Sequence, residues 1–284
     1  MPTSVGIVHP GDMGSAIGAC LARNGNRVIW ASAGRSVATA RRADAAGLTD
    51  VGTVDRMVAA SDVVISVCPP HAARAVGREL RGFRGIFVEA NAVSPRAVRE
   101  IAADVTGDGA SIVDGGIVGP PPHMSSPGAT RLYLAGSEAP IVARLFDSTP
   151  VDARVVAGDL GAASAMKMAY AAWTKGTAAL LLAIRAMARA GDIETELVQE
   201  WYESQPDLPG RALRAGRSAA TKGWRWVGEM EEIAVTFADA GLPDGFHRAA
   251  AEVYRRSPQL DSADPAALDL VIEAVRRPAG VARR

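Results

Sequence analysis

The apolar positions of this chain fall into two regimes that meet near residue 158. Before that point, short apolar runs bounded by Gly, Pro, Ser or Asp alternate with segments that are apolar at helical spacing. Val5–Val8, Arg27–Trp30, Ser61–Cys68, Gly85–Ala90, Ser111–Asp114 and Arg131–Ala135 predict six strands. Helices are predicted between them: Ser15–Ala22; Ser36–Gly47, where Val37, Ala40, Ala43 and Ala46 recur on one face; His71–Leu80; and a helix opened by Ser94-Pro95, with proline at its favoured first turn. From Gly161 to Ala190 the chain is almost wholly Ala, Leu, Met and Ile. That predicts one helix of roughly thirty residues, buried on most faces and running between domains or between subunits. Thr195–Arg276 carries helix signals and no strand signal, and the tail from Arg277 onward is expected to fray. Strands alternating with helices imply a doubly wound parallel sheet. The expected organisation is an α/β domain over 1–158 followed by an all-α domain over 159–284.

Composition narrows the class. Of 284 residues, 48% are hydrophobic and 22% charged, as expected for a well-packed globular chain. The formal net charge is +0, which gives no electrostatic case for nucleic acid or an anionic membrane. No eighteen-residue apolar span and no charged leader are present, so no membrane segment is expected. Two cysteines, Cys20 and Cys68, both in apolar settings, point to a reducing cytoplasmic compartment rather than a disulfide framework. His and Cys do not cluster at metal-ligand spacing, and no metal is assigned. Arginine does nearly all the basic duty: only Lys167, Lys175 and Lys222 are lysines among 31 basic residues, which makes each lysine worth examining.

The first strand runs into His9-Pro10-Gly11-Asp12-Met13-Gly14 and then into a small apolar helix. Strand, glycine turn and helix in this order form the opening unit of a dinucleotide-binding Rossmann domain. A helix N-terminus presents unpaired N–H groups and the positive end of its dipole, so it attracts a pyrophosphate. Gly11 permits close approach of that group, and Gly14 permits close packing of helix on strand. His9 occupies the place of the first glycine in the usual G-x-G-x-x-G. His9, Pro10, Gly11, Asp12 and Met13 are therefore assigned to the cofactor. Strand two ends without the acid that would hold a ribose 2′-hydroxyl. It reads instead into Ser32 and Arg35-Ser36, a set suited to a 2′-phosphate, because a guanidinium pairs bidentately with phosphate. The cofactor expected is NADP(H). Ligands of such sheets sit beyond the carboxyl ends of the strands. That places Cys68 and Pro69, Asn91, and the segment Gly115–Pro122 near the site.

The order of these parts resembles the β-hydroxyacid dehydrogenase family, which includes 3-hydroxyisobutyrate and 6-phosphogluconate dehydrogenases, with imine reductases and reductive aminases as relatives. The resemblance runs over nearly the whole chain. It is carried by Gly11-Asp12-Met13-Gly14, by Asp62-Val63-Val64-Ile65 through Pro69, by Glu89–Pro95, by Asp114–Pro120 and by Gly161–Lys167. It implies that Asn91 touches nicotinamide or substrate and that Val118, Gly119 and Pro120 border the substrate. It also implies that Lys167 is the general acid/base and that the active form is a homodimer. The chain departs from the family in three respects: Tyr170 and Ala171 stand where an asparagine is usual, Val118 replaces a serine, and Pro120 lacks an N–H.

An ammonium on an apolar helix is costly unless it faces a partner or a cleft, which independently singles out Lys167. Tyr170, one turn on, reads equally as an orienting group, a second proton donor or a packed aromatic. Trp173, Thr174 and Lys175 either line the cleft or mark where the helix meets water. Glu231 and Glu232 either recognise a cationic substrate or form a solvated face, and His247 reads as a surface histidine. The leading expectation is an NADP-dependent oxidoreductase acting on a small hydroxy or oxo compound. Imine reduction at C=N, with Tyr170 as donor, is the alternative. A nucleotide-binding protein without chemistry is a third.

Overall fold

In the computed structural model, the structure describes residues 2–260 and 264–277. The tail from Pro278, expected to fray, lies outside the described residues. In chain order the first part comprises β1 (Ser4–Ile7), α1 (Asp12–Arg23), β2 (Arg27–Trp30), α2 (Val37–Ala45), β3 (Thr49–Asp50), α3 (Val54–Ala59) and β4 (Val63–Ser66). It continues with α4 (Pro70–Glu79), β5 (Ile86–Glu89), α5 (Pro95–Val105), β6 (Ser111–Val118), β7 (Thr130–Ala135), α6 (Ala139–Arg144) and β8 (Val151–Val155).

The strands form one eight-stranded sheet in the order β3-β2-β1-β4-β5-β6-β7-β8. All six expected strands are present. β3 and β8 are additional, and both are edge strands of the sheet. The expectation of a wholly parallel sheet is corrected at one place: β6 and β7 pair antiparallel, from Asp114 opposite Ala135 to Val118 opposite Arg131. The segment between them is too short for a helical crossover, so the chain turns back on itself. For the same reason Gly115–Val118 is strand rather than loop. Apolar side chains cover both faces of the sheet. Ile17, Leu21, Leu132 and Phe146 belong to one core cluster. Met57, Leu80, Phe87 and Ile101 belong to the other. Each such side chain contributes about 1.5–3 kcal/mol on full burial.

The remainder is helical: α7 (Ala162–Ala171), a π turn (Ala172–Gly176), α8 (Thr177–Ala190), α9 (Glu194–Ser204), α10 (Leu208–Asp239), α11 (Gly245–Arg256) and α12 (Ala267–Arg276). The long apolar helix predicted from Gly161 to Ala190 is there, broken in phase by the π turn. It is not covered all round: Tyr170, Trp173, Leu180 and Met187 are 41%, 63%, 53% and 59% exposed. Two compact units divide at 168/169, within α7, rather than near 158. The cause is local. The start of α7 is bonded to β6 through Asp114, so its first two turns belong with the sheet. Leu181, Trp201 and Ala212 form one apolar cluster of the second unit. No helix among the described residues is long and apolar enough to cross a membrane.

Candidate cofactor and catalytic site

The glycine turn has the geometry that its sequence requires. A Cβ added at Gly14 would lie 2.2 Å from the His9 carbonyl oxygen, so only glycine lets α1 pack on the end of β1. Gly11 is the N-cap of α1 and has open space where a Cβ would stand; no side chain caps the helix. The first N–H groups of α1 are thus left for an anion. Pro10 is buried, Met13 half-buried and Asp12 exposed.

The cation predicted at the end of β2 reaches back to this turn. Arg35 donates from Nη1 to Nε2 of His9 at 2.6 Å. His9 is therefore unprotonated at Nε2, and burial, followed by the Arg35 charge, holds its pKa down at about 4. Arg42, which the sequence reading missed, lies at the same turn, its Nε 3.5 Å from the Pro10 carbonyl oxygen and 3.8 Å from the Asp12 carboxylate. A second arginine two turns into the helix that follows Arg35 was the available signal. Ser36 caps α2 by accepting from Thr39 N–H. The Ser32 N–H is held by the Asp50 carboxylate at 3.2 Å. Two guanidiniums and a helix N-terminus beside one turn fit the phosphate groups of a dinucleotide.

A polar row crosses the sheet at its carboxyl ends. Ser66, Glu89 and Asp114 end or interrupt three apolar strands, and the register places Ser66 opposite Glu89 and Glu89 opposite Asp114. All three are fully buried. Glu89 Oε1 accepts from the Asn91 N–H at 3.0 Å. The Asn91 side chain donates from Nδ2 to Ser66 Oγ at 3.0 Å and accepts at Oδ1 from the Cys68 N–H. Asn91 is thus locked in orientation and only 3% exposed. Burial drives the Glu89 carboxyl up to about 8, so it is largely neutral at pH 7. Burial and the Glu89 charge push the Cys68 thiol up to about 12, so Cys68 is inert as a nucleophile. Pro69 is exposed at the start of α4.

Asp114 fixes the lysine helix. Its Oδ2 accepts from the Gly161 N–H at 3.0 Å and the Ser164 N–H at 2.9 Å, and its Oδ1 from Ser164 Oγ at 2.6 Å. Burial nevertheless raises the Asp114 pKa against those bonds. Two residues along β6, a Cβ added at Gly116 would stand 2.6 Å from the Ala163 carbonyl oxygen and 3.0 Å from Lys167 Cβ. Lys167 is thereby seated directly over the glycine of β6, half-buried. Sequence reading named Lys167 and Asn91, but not Asp114 and Ser164, which fix the lysine helix, nor Ser66 and Glu89, which hold Asn91. The signal was present as a single acid closing each of two apolar strands.

Val118 is 1% exposed and packed within β6. Gly119 adopts φ 115° against the Ala129 carbonyl, and Pro120 is exposed, its carbonyl accepting from Thr130 Oγ1 at 2.6 Å. Tyr170 and Trp173 are exposed, and the half-buried Thr174 donates to the Tyr170 carbonyl at 3.1 Å. Lys175 is paired with buried Glu229, side-chain exposures 17% and 8%. Glu231 pairs with Arg255 at the surface. His247 is buried, not superficial, its ring 4.1 Å from that of Phe237. The i, i+4 apolar spacing around it carried that information.

Residues 4–108 match the family described as NADP oxidoreductase, coenzyme F420-dependent, and residues 188–257 match a domain of unknown function, DUF1932. An uncharacterized 28.5 kDa protein of Methanothermus fervidus is 27% identical over 61% of this chain. The match spans 66% of that relative, just under two thirds of its length. Among solved structures, the 3-hydroxyisobutyrate dehydrogenase of Mycobacterium tuberculosis, crystallised with L-serine, aligns with TM-score 0.68 and 18% identity over 98% of this chain and 100% of that one. The reductive aminase of Aspergillus terreus, crystallised with NADPH and ethyl-5-oxohexanoate, aligns with TM-score 0.56 and 19% identity over 90% of this chain and 94% of that one. The fold expected from the sequence is borne out: a mostly parallel sheet followed by helices, the architecture shared with this 3-hydroxyisobutyrate dehydrogenase and this reductive aminase.

Proposed function

We propose that this chain is an NADP-dependent oxidoreductase acting on a small hydroxy or oxo compound, with Lys167 as general acid/base. The single observation that carries this reading is the seating of Lys167 on Gly116 of β6, on a helix pinned by Asp114 at the carboxyl end of the sheet. The nicotinamide, when bound, supplies or accepts a hydride. The chain's own groups do the rest. The α1 N-terminus and the turn His9–Met13 hold the pyrophosphate, Arg35 and Arg42 hold the 2′-phosphate, and Asn91 presents a fixed edge to the ring or the substrate. Lys167 gives its proton to the carbonyl oxygen in reduction and takes the hydroxyl proton in oxidation.

Imine reduction is the second reading, favoured by one stretch. Val118 is apolar and buried, and Pro120 has no N–H, so neither residue offers a donor for a substrate carboxylate. In that reading Tyr170 gives the proton. The exposed row Tyr170, Trp173, Leu180 and Met187 supports a homodimer, and the free cysteines Cys20 and Cys68 suit a reducing cytoplasm.

The test is consumption of NADPH with panels of small oxo acids, aldehydes and cyclic imines, using the wild-type chain, Lys167→Ala and Tyr170→Phe. The proposal expects turnover of an oxo compound and a loss of about 10²–10⁴-fold in kcat for Lys167→Ala. Turnover of imines alone, abolished by Tyr170→Phe, would establish the second reading. NADPH binding with no turnover of any compound would overturn both.

A further inference from the structure

The helical unit carries a second feature that the nucleotide-binding turn does not explain. A cleft of about 330 Å³ opens between the π turn with α8 and the first half of α10, lined by Lys175, Thr177, Arg211, Arg214, Ser218 and Trp226. No carboxylate is among its lining residues. Lys175 is tied to Glu229 behind the cleft and lies 5.5 Å from the Trp226 ring centroid. The Lys175 main chain is fixed as well, because Tyr254 Oη donates to its carbonyl at 2.6 Å. Its charge is therefore answered by the protein, and its side chain and Trp226 form a rigid wall.

The two arginines differ. Arg211 and Arg214 have no carboxylate partner among the described residues, whereas most arginines of α8, α11 and α12 do. They stand three apart on α10 and share its face with Ser218. Like charges at this spacing repel, and an anion between them relieves that repulsion. Their planar forks match a carboxylate or a phosphate. Beside them, Leu181, Ala215 and Trp226 supply an apolar surface. The volume is at the small end of the range for ligand sites.

We propose that this cleft binds a small organic anion, its carboxylate or phosphate between Arg211 and Arg214 and its apolar body against Trp226. Binding is a property of the helical unit's residues and does not depend on which compound is reduced.

The test uses the whole chain. Tryptophan fluorescence and titration calorimetry follow benzoate, phenyl phosphate and the neutral isostere benzamide. Saturable binding of benzoate or phenyl phosphate, weakened by added potassium chloride, with no binding of benzamide, is expected. The preferred arm of the two identifies the headgroup as carboxylate or phosphate. Arg211→Gln combined with Arg214→Gln is expected to weaken binding at least tenfold with unchanged circular dichroism, while Arg144→Gln on α6 binds as wild type. Equal binding of benzamide, failure of both anions to saturate, or full affinity in the folded double variant would overturn the proposal. Should the double variant not fold, the wild-type comparison of benzoate with benzamide and its salt dependence decide alone.

Discussion

Gly116→Ala asks whether the seat under Lys167 is what places the amine. The added methyl would lie 2.6 Å from the Ala163 carbonyl oxygen and 3.0 Å from Lys167 Cβ, whereas ordinary contact begins at 3.4 Å. The first gap must therefore open by 0.8 Å and the second by 0.4 Å. Neither obstacle is the tip of a flexible side chain: one is the backbone of α7 and the other the root of Lys167. The helix cannot slide freely either, because Asp114 holds its first turn by three hydrogen bonds. Overpacking of this kind costs about 1–3 kcal/mol of stability. Displacing a proton-transfer group by a sizeable fraction of an ångström costs roughly 10–100-fold in rate. The expected result is a lower Tm, a fall of that size in kcat for the compound found in the substrate panel, and an unchanged Kd for NADPH measured by nicotinamide fluorescence. The cofactor constant is unchanged because the turn at Gly11 and Gly14 is untouched. A variant with lowered Tm and wild-type kcat would show that the close packing serves only stability. A raised Kd for NADPH with kcat intact would place the effect on the cofactor instead, and the reasoning would fail.

Arg35→Ala is expected to weaken NADPH by about 10–100-fold, the worth of one or two charge-assisted hydrogen bonds, and to leave NADH nearly unchanged. Equal losses for the two cofactors would remove Arg35 from 2′-phosphate recognition. Glu89→Gln tests the polar row through pH. The wild-type carboxyl has its pKa near 8 folded against an ordinary value of 4.5, so the fold favours the protonated form. The stability that this proton confers is complete below 4.5, is lost progressively as pH rises towards about 8, and is constant above. The Tm of Glu89→Gln relative to wild type should therefore climb through that window and then level. A flat difference across it would mean that Glu89 is ionised in the folded chain.

The alternation of elements was legible because buried parallel strands read as continuous apolar runs and their helices as periodic ones. What escaped was information held in pairing. Thr49–Asp50 is too short and polar to announce itself, and it is a strand only because Ile29 and Trp30 pair with it. The reversal at β6–β7 and the extension through Val118 depend on β7. At the site, Lys167 stood out as a rare cation in an apolar helix. Its supports did not, because Asp114 and Ser164 are fifty residues apart in sequence and meet only through the fold. The pairing of Lys175 was hidden for the same reason: its partner Glu229 lies on another helix. Composition also drew the division at 158, where strands give way to helix, whereas contacts place it after the turns that Asp114 retains.

The five-residue π turn has a consequence for how relatives are compared. Each residue advances an α-helix by about 100°, and a π turn accommodates one extra residue without breaking the rod. Everything after Gly176 is therefore rotated relative to a helix without the turn. An ungapped comparison of this segment with a regular helix would pair inward positions with outward ones over all of α8. A single-residue gap inside Ala172–Gly176 restores the correspondence, so a homologue lacking that residue presents corresponding positions on the same face from Thr177 onward.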